Sequence, residues 1–272
     1  MFINHCHVFP EGSFEGKDAG YGTIPDLLSF MDANRIDRAA VFAPTLHWMP
    51  KDTFYKPPIR DGNAWLHEAI APYRDRLTPV LALNPAEKGA CDVLKKYSRE
   101  GFVGVKVHPC VYDIRIDEPE YDGFYTAAEE EGLFVAFHTG VHGGWLRKYT
   151  PLLIDNVANR HPGLKIIIEH MGLPFAFEEA LAVLYSHSPV WNNYQVYAGL
   201  TGDFPADRVR KIFDLVGSER MVFGMDFPGR GFSGCYSRIR ESGMPADDVE
   251  NVMGGTLQRI IGEATDIHEH GH

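Results

Sequence analysis

The chain has 272 residues, 44% hydrophobic and 23% charged, with 26 Lys and Arg against 37 Asp and Glu for a formal charge of −11. This is ordinary globular usage, rich enough in apolar residues for a sizeable core, and it excludes a disordered or collagen-like chain. The acidic balance argues against nucleic acid and against anionic lipid surfaces as partners. No run of about 18 apolar residues offers a membrane span. The opening Met1-Phe2-Ile3-Asn4-His5 has neither the basic start nor the apolar run of a signal peptide. Cys6, Cys91, Cys110 and Cys235 are irregularly spaced with no Cys-x-x-Cys pair. They are expected to be reduced thiols in a cytoplasmic protein.

In chain order, short runs rich in β-branched and aromatic residues alternate with longer amphipathic stretches. Strands are predicted at 2–7, 38–43, 78–83, 102–108, 133–138, 164–170, 194–199 and 221–226. Helices are predicted at 23–34, 61–74, 87–99, 119–131, 148–161, 176–187, 205–217 and 245–262. The first opens on Thr23 as an N-cap with Pro25 in the first turn. In the seventh, Val209, Ile212, Phe213 and Val216 recur at helical spacing before Gly217 closes it. Eight strand–helix units in one chain of this length predict an α/β fold, a closed (β/α)₈ TIM barrel, rather than an open doubly wound sheet. One domain is expected over 1–266, with 267–272 a disordered tail. The stretches 44–60 and 227–244 read as loops, and in a barrel the loops after strands build the active-site face.

The chain has thirteen histidines, so position rather than presence carries meaning. His5 and His7 close the first predicted strand, His108 the fourth, His138 the fifth and His170 the sixth, while Asp226 closes the eighth. In a parallel barrel these ends converge on one mouth. His5 and His7 share a face at i, i+2 spacing. Alone, that pair is as compatible with two packed core histidines as with ligands. With a further imidazole and a carboxylate it suits a borderline divalent metal. Asp226, after an uncharged strand, needs a partner or a metal if buried. His170 is expected to act beside the metal, polarising or handling a proton. Lys106 and His108 share one face of strand four; they are read as pocket-lining groups, with a carboxylated lysine bridging two metals as the alternative. Cys6 and Glu169 are expected to point away from the mouth. No Gly-x-Ser-x-Gly elbow and no phosphate-cradling Gly-x-x-x-x-Gly-Lys-Ser/Thr loop is present.

Several segments are similar to those of a known family. Ile3-Asn4-His5-Cys6-His7, Gly104-Val105-Lys106-Val107-His108-Pro109 and Phe137-His138-Thr139-Gly140 resemble, in order, the first, fourth and fifth strands of the amidohydrolase superfamily, in its amidohydrolase-2 branch of TIM-barrel metal-dependent hydrolases and decarboxylases. His161–Gly172, Arg220–Pro228 and Val252–Gly262 resemble its sixth strand, eighth strand and closing helix. The resemblance implies one divalent metal, Zn²⁺ with Mn²⁺ as the alternative, at His5, His7, His138 and Asp226, with His170 assisting. Two departures stand out: Asn4 replaces the usual Asp before the first His, and Thr256 stands where the closing helix more often carries Asn.

The expected activity is hydrolysis of a small carboxylic ester, lactone or amide by a metal-activated water, with Asp226 as proton acceptor and His170, beside the metal, stabilising the developing oxyanion. The alternative is non-oxidative decarboxylation of an aromatic or unsaturated acid on the same site. Besides Lys106 and His108, the candidate substrate contacts are His47, Trp48, Tyr112, His142, Trp145 and Arg230. The partner expected is a small molecule, neither nucleic acid nor membrane, and the assembly considered is a homodimer.

Overall fold

Strand alternation and helical periodicity resolve into the predicted architecture. A computed structural model describes residues 1–14, 17–44, 61–140, 145–191, 195–202, 204–229 and 231–262. Eight parallel strands, β1 Phe2–His7, β2 Arg38–Phe42, β3 Leu77–Ala82, β4 Gly104–Val107, β5 Phe134–His138, β6 Ile166–Glu169, β7 Val196–Thr201 and β8 Met221–Phe227, pair in sequence order and close β8 onto β1. The fold is a TIM barrel.

Helices α1 Ile24–Ala33, α2 Gly62–Ala69, α3 Ala90–Ser98, the single turn α4 Pro109–Tyr112, α5 Asp122–Glu130, α6 Leu152–Arg160, α7 Phe177–Ser186, α8 Ala206–Val216, α9 Phe232–Glu241 and α10 Ala246–Glu250 surround it. Thr23 caps α1 as expected, its side chain accepting from the Asp26 N–H. The loop expected over 227–244 is corrected: it contains α9, which buries Phe232, Cys235 and Ile239. That apolar spacing is helical, but Gly231, Gly234 and the surrounding Ser and Arg residues mask it. The loop expected over 44–60 and the tail expected over 267–272 lie almost wholly or wholly outside the described residues.

The pleat divides the apolar residues into two layers. Val41, Val105, Val135, Phe137, Ile166, Ile168, Ala198 and Phe223 face the helices in one continuous core. Ala40, Phe42, Val80, Phe134, Ala136, Ile167, Tyr197 and Val222 fill the barrel interior, where Leu257, Ile260 and Ile261 of the closing helix plug the end opposite the mouth. Cys6 joins the helix-facing layer, as predicted. None of the four cysteines forms a disulfide. Among the described residues no helix is long and apolar enough to cross a membrane.

Candidate metal centre at the barrel mouth

Three of the predicted site residues break the regular strand conformation. His5, His170 and Asp226 have φ of 59°, 63° and 57°. For a residue with a Cβ, each left-handed conformation costs about 1–2 kcal/mol, and such strain persists only where its surroundings enforce it. In β1 the consequence is a register shift between Ile3 and Cys6 against β2 and between Asn4 and Cys6 against β8. The bulge lets Asn4, His5 and His7 all serve the interior while Cys6 faces out. The left-handed residues then meet: His5, His170 and Asp226 each offer a ligand atom within 4.8 Å of the others. Asp226 Oδ1 lies 3.7 Å from His5 Nε2 and 3.7 Å from His7 Nε2.

Beneath this group lies a buried carboxylate. Glu169 was expected to point outward, and the structure corrects this: alternation from inward-facing Ile167 places Glu169 inward, fully buried. It accepts from Asn4 Nδ2 at 2.8 Å and from Thr201 Oγ1 at 2.6 Å. His5 Nδ1 lies 2.9 Å from Glu169 Oε2, although off the ideal hydrogen-bond line. Two glycines make the room. A Cβ on Gly199 would stand 2.6 Å from Glu169 Oε2, and one on Gly224 would stand 2.4 Å from Thr201 Oγ1. With the carboxylate at Nδ1, His5 is set to carry its proton there and present the Nε2 lone pair toward Asp226.

The His170 ring is also fixed through its Nδ1. β6 ends at Glu169, and His170 enters a left-handed turn with Met171 at φ 46° that swings its ring back over the mouth. Its Nδ1 lies 3.3 Å from the Thr201 carbonyl, so that nitrogen donates and Nε2 holds a lone pair. Burial above all, with the Lys106 ammonium and any protonation of His5 beside it, holds its pKa well below the usual imidazole range.

Residues 4–260 of this barrel match the family described as Amidohydrolase. The chain belongs to the amidohydrolase family. Its members are enzymes, and the fold agrees with solved structures. An Acinetobacter baumannii protein described as a probable 2-pyrone-4,6-dicarboxylic acid hydrolase, with citric acid bound, is 15% identical with a TM-score of 0.71, over 96% of this chain and 98% of that one. The 5-carboxyvanillate decarboxylase of Sphingomonas paucimobilis is 15% identical with a TM-score of 0.72 over the same shares. A Polaromonas dihydroxybenzoic acid decarboxylase, with bound manganese and the inhibitor 2-nitroresorcinol, is 15% identical with a TM-score of 0.71 over 96% of each chain. Likeness at this identity carries the barrel and not the activity. No curated protein matches the chain in sequence.

The donor set of this amidohydrolase fits a divalent ion. Two ligands on a tetrahedral Zn²⁺ stand roughly 3.4 Å apart, close to the 3.7 Å separating Asp226 Oδ1 from each of the two Nε2 atoms. The remaining predicted residues divide. His138 stacks on His108 with ring centroids 3.9 Å apart and lies 4.6 Å from the His170 ring. Its Nε2 lies 2.9 Å from the Gly140 carbonyl and so donates there, which leaves Nδ1 as the nitrogen with a lone pair. Lys106 and His108 line a small pocket with His7, Phe9, Phe42 and Pro44. Lys106 Nζ lies 3.4 Å from His5 Nε2, and burial pushes its pKa down to about 8 against the opposing pull of Glu169 and Asp226.

Tyr112 packs on the helix-facing core. Trp145 is exposed and stacks under the Arg147 guanidinium, 3.9 Å from its ring centre. His47, Trp48, His142 and Arg230 lie outside the described residues. Sequence reasoning missed Glu169, Thr201 and Thr139. The signal for Glu169 was present: a strand-end carboxylate in register with Gly199 of the next strand.

Proposed function

We propose that this amidohydrolase is a hydrolase of a small carboxylic ester, lactone or amide, dependent on one divalent ion, Zn²⁺ or Mn²⁺. The observation that carries the reading is the convergence of His5, His170 and Asp226, all left-handed, on one point of the barrel mouth. His7 and His138 are assigned as the further donors and Asp226 as the carboxylate ligand. When bound, the ion supplies Lewis-acid polarisation of a carbonyl and makes a nearby water more acidic.

The protein's own groups do the rest. The Asp226 side chain is 27% exposed and borders the mouth, so it is placed to take a proton from an attacking water and return it to the leaving group. Neutral His170, its proton directed to the Thr201 carbonyl, offers a lone pair at Nε2. It therefore suits a cation better than the oxyanion-stabilising role expected from sequence. Glu169 holds His5 in the matching orientation. Lys106 puts the cationic group into the pocket beside Phe42 and His108, where it suits an anionic or strongly polarised oxygen of the substrate.

Metal analysis of purified parent, His5→Ala and Asp226→Asn proteins tests the site. The parent is expected to hold about one equivalent and the variants to lose it; unchanged content in both variants refutes the assignment. A panel of lactones and hydroxybenzoates tests the reaction. Carbon dioxide release without ring opening would transfer the reading to decarboxylation.

A further inference from the structure

The turn that carries His170 is held from outside. His170, Met171 and Gly172 are three consecutive left-handed residues, and only the last is free of a Cβ to oppose that conformation. One hydroxyl spans the two strained residues. Thr139 Oγ1 donates to the Glu169 carbonyl at 2.7 Å, just before His170, and accepts from the Gly172 N–H at 2.8 Å, just after Met171. The Thr139 backbone N–H reaches the same Glu169 carbonyl at 3.3 Å. Thr139 is buried and directly follows His138, whose strand pairs with β6 so that His138 lies opposite Glu169. A single side chain thus ties the end of β5 to the turn after β6, and it sits between the His138 and His170 rings in the connectivity.

We infer that Thr139 is a positioning residue: its hydroxyl holds the left-handed His170–Met171 turn and thereby places the His170 ring among the metal donors. This rests on the reading of His170 as part of the metal group. A hydroxyl is required because the span needs a donor toward a carbonyl and an acceptor toward an amide at one atom. Serine meets that requirement. Valine, of the same shape, meets neither half.

The test is metal affinity of the metal-free protein, titrated with Mn²⁺ and with Zn²⁺ against a chromophoric chelator, for parent, Thr139→Val, Thr139→Ser and Asp226→Asn. Thr139→Val is expected to weaken binding by about tenfold or more and Thr139→Ser by no more than about threefold, in the range seen when outer partners of metal ligands are lost or kept. All variants are followed by thermal unfolding in the metal-free state, where a cooperative transition shows the fold intact. Binding by Thr139→Val equal to the parent overturns the inference, and so does an equal loss in Thr139→Ser. If Thr139→Val does not fold, Thr139→Ala carries the same expectation; failure of both to fold assigns Thr139 to stability alone and also overturns it. Asp226→Asn separates the two levels. Undiminished affinity there removes the metal reading itself, whereas its loss beside an unaffected Thr139→Val removes only the role of Thr139.

Discussion

Replacing Asn4 with aspartate exchanges an amide for a carboxyl at the deepest point of the site. Asn4 Nδ2 donates to Glu169 Oε1 at 2.8 Å, and both side chains are fully buried. Two unit charges at about that distance repel by about 6 kcal/mol in a medium of effective dielectric about 20. The introduced carboxyl escapes this by taking up a proton, which costs about 4 kcal/mol at pH 7, roughly three pH units above an ordinary Asp pKa near 3.9. The smaller cost prevails, so the variant is expected to lose about 4 kcal/mol at pH 7 and only about 1.5 kcal/mol at pH 5. The sign follows from linkage. The pKa of the introduced carboxyl is raised in the folded chain, which then binds more protons than the unfolded one across this window, and stability relative to the parent recovers as pH falls.

Urea unfolding of metal-free parent and Asn4→Asp protein at pH 5 and pH 7 measures the effect. A variant as stable as the parent at pH 7 would refute the contact, as would a deficit that does not shrink toward pH 5. Beside Glu169 in this chain, an amide donor is compatible and a second carboxylate is not.

Gly224→Ala would set a Cβ 2.4 Å from Thr201 Oγ1 and 3.2 Å from His5 Cβ; it is expected to cost about 1–3 kcal/mol in urea unfolding and to weaken metal binding. Gly123→Ala in α5 meets nothing within 4 Å and should instead stabilise by about 0.5–1 kcal/mol, so equal effects at the two glycines would count against the packing described. Lys106→Met removes the pocket's cation at nearly constant volume. For a carboxylate-bearing substrate, steady-state kinetics should show KM rising by about tenfold or more, the scale of one charge-assisted hydrogen bond, with a smaller change in kcat. Exhaustive chelation should abolish turnover and added Mn²⁺ or Zn²⁺ restore it. Full activity in verified metal-free protein would remove the metal from the reaction.

The barrel was legible because period-2 and period-3.6 patterns alternate eight times with little interruption. Ile166, Ile167 and Ile168, for instance, read as a strand buried on both faces, and two of them line the helix layer while Ile167 fills the interior. α9 was not legible because Gly231 and Gly234 flank and interrupt its first turn. Its stability comes from Phe232, Cys235 and Ile239 packing on the barrel, a tertiary effect that local propensity does not contain.

The candidate site was legible as a list of strand ends and illegible in its facing. Alternation predicts that if His170 points inward then Glu169 points outward, and the same rule assigns Asn4 and His5 to opposite faces. Both inferences assume an unbroken strand. A left-handed residue resets the alternation, and here it does so at His5, at His170 and at Asp226. None of these is glycine, so no residue type announces the reset. It is imposed by partners distant in sequence, among them Thr139 and Glu169, which become visible only when the strands lie side by side. The places where the simple pattern fails are therefore the places where the donors converge. A site that needs two neighbouring side chains on one face has to break the pleat to obtain them, and a hydrogen-bonded buried layer is what holds the break open.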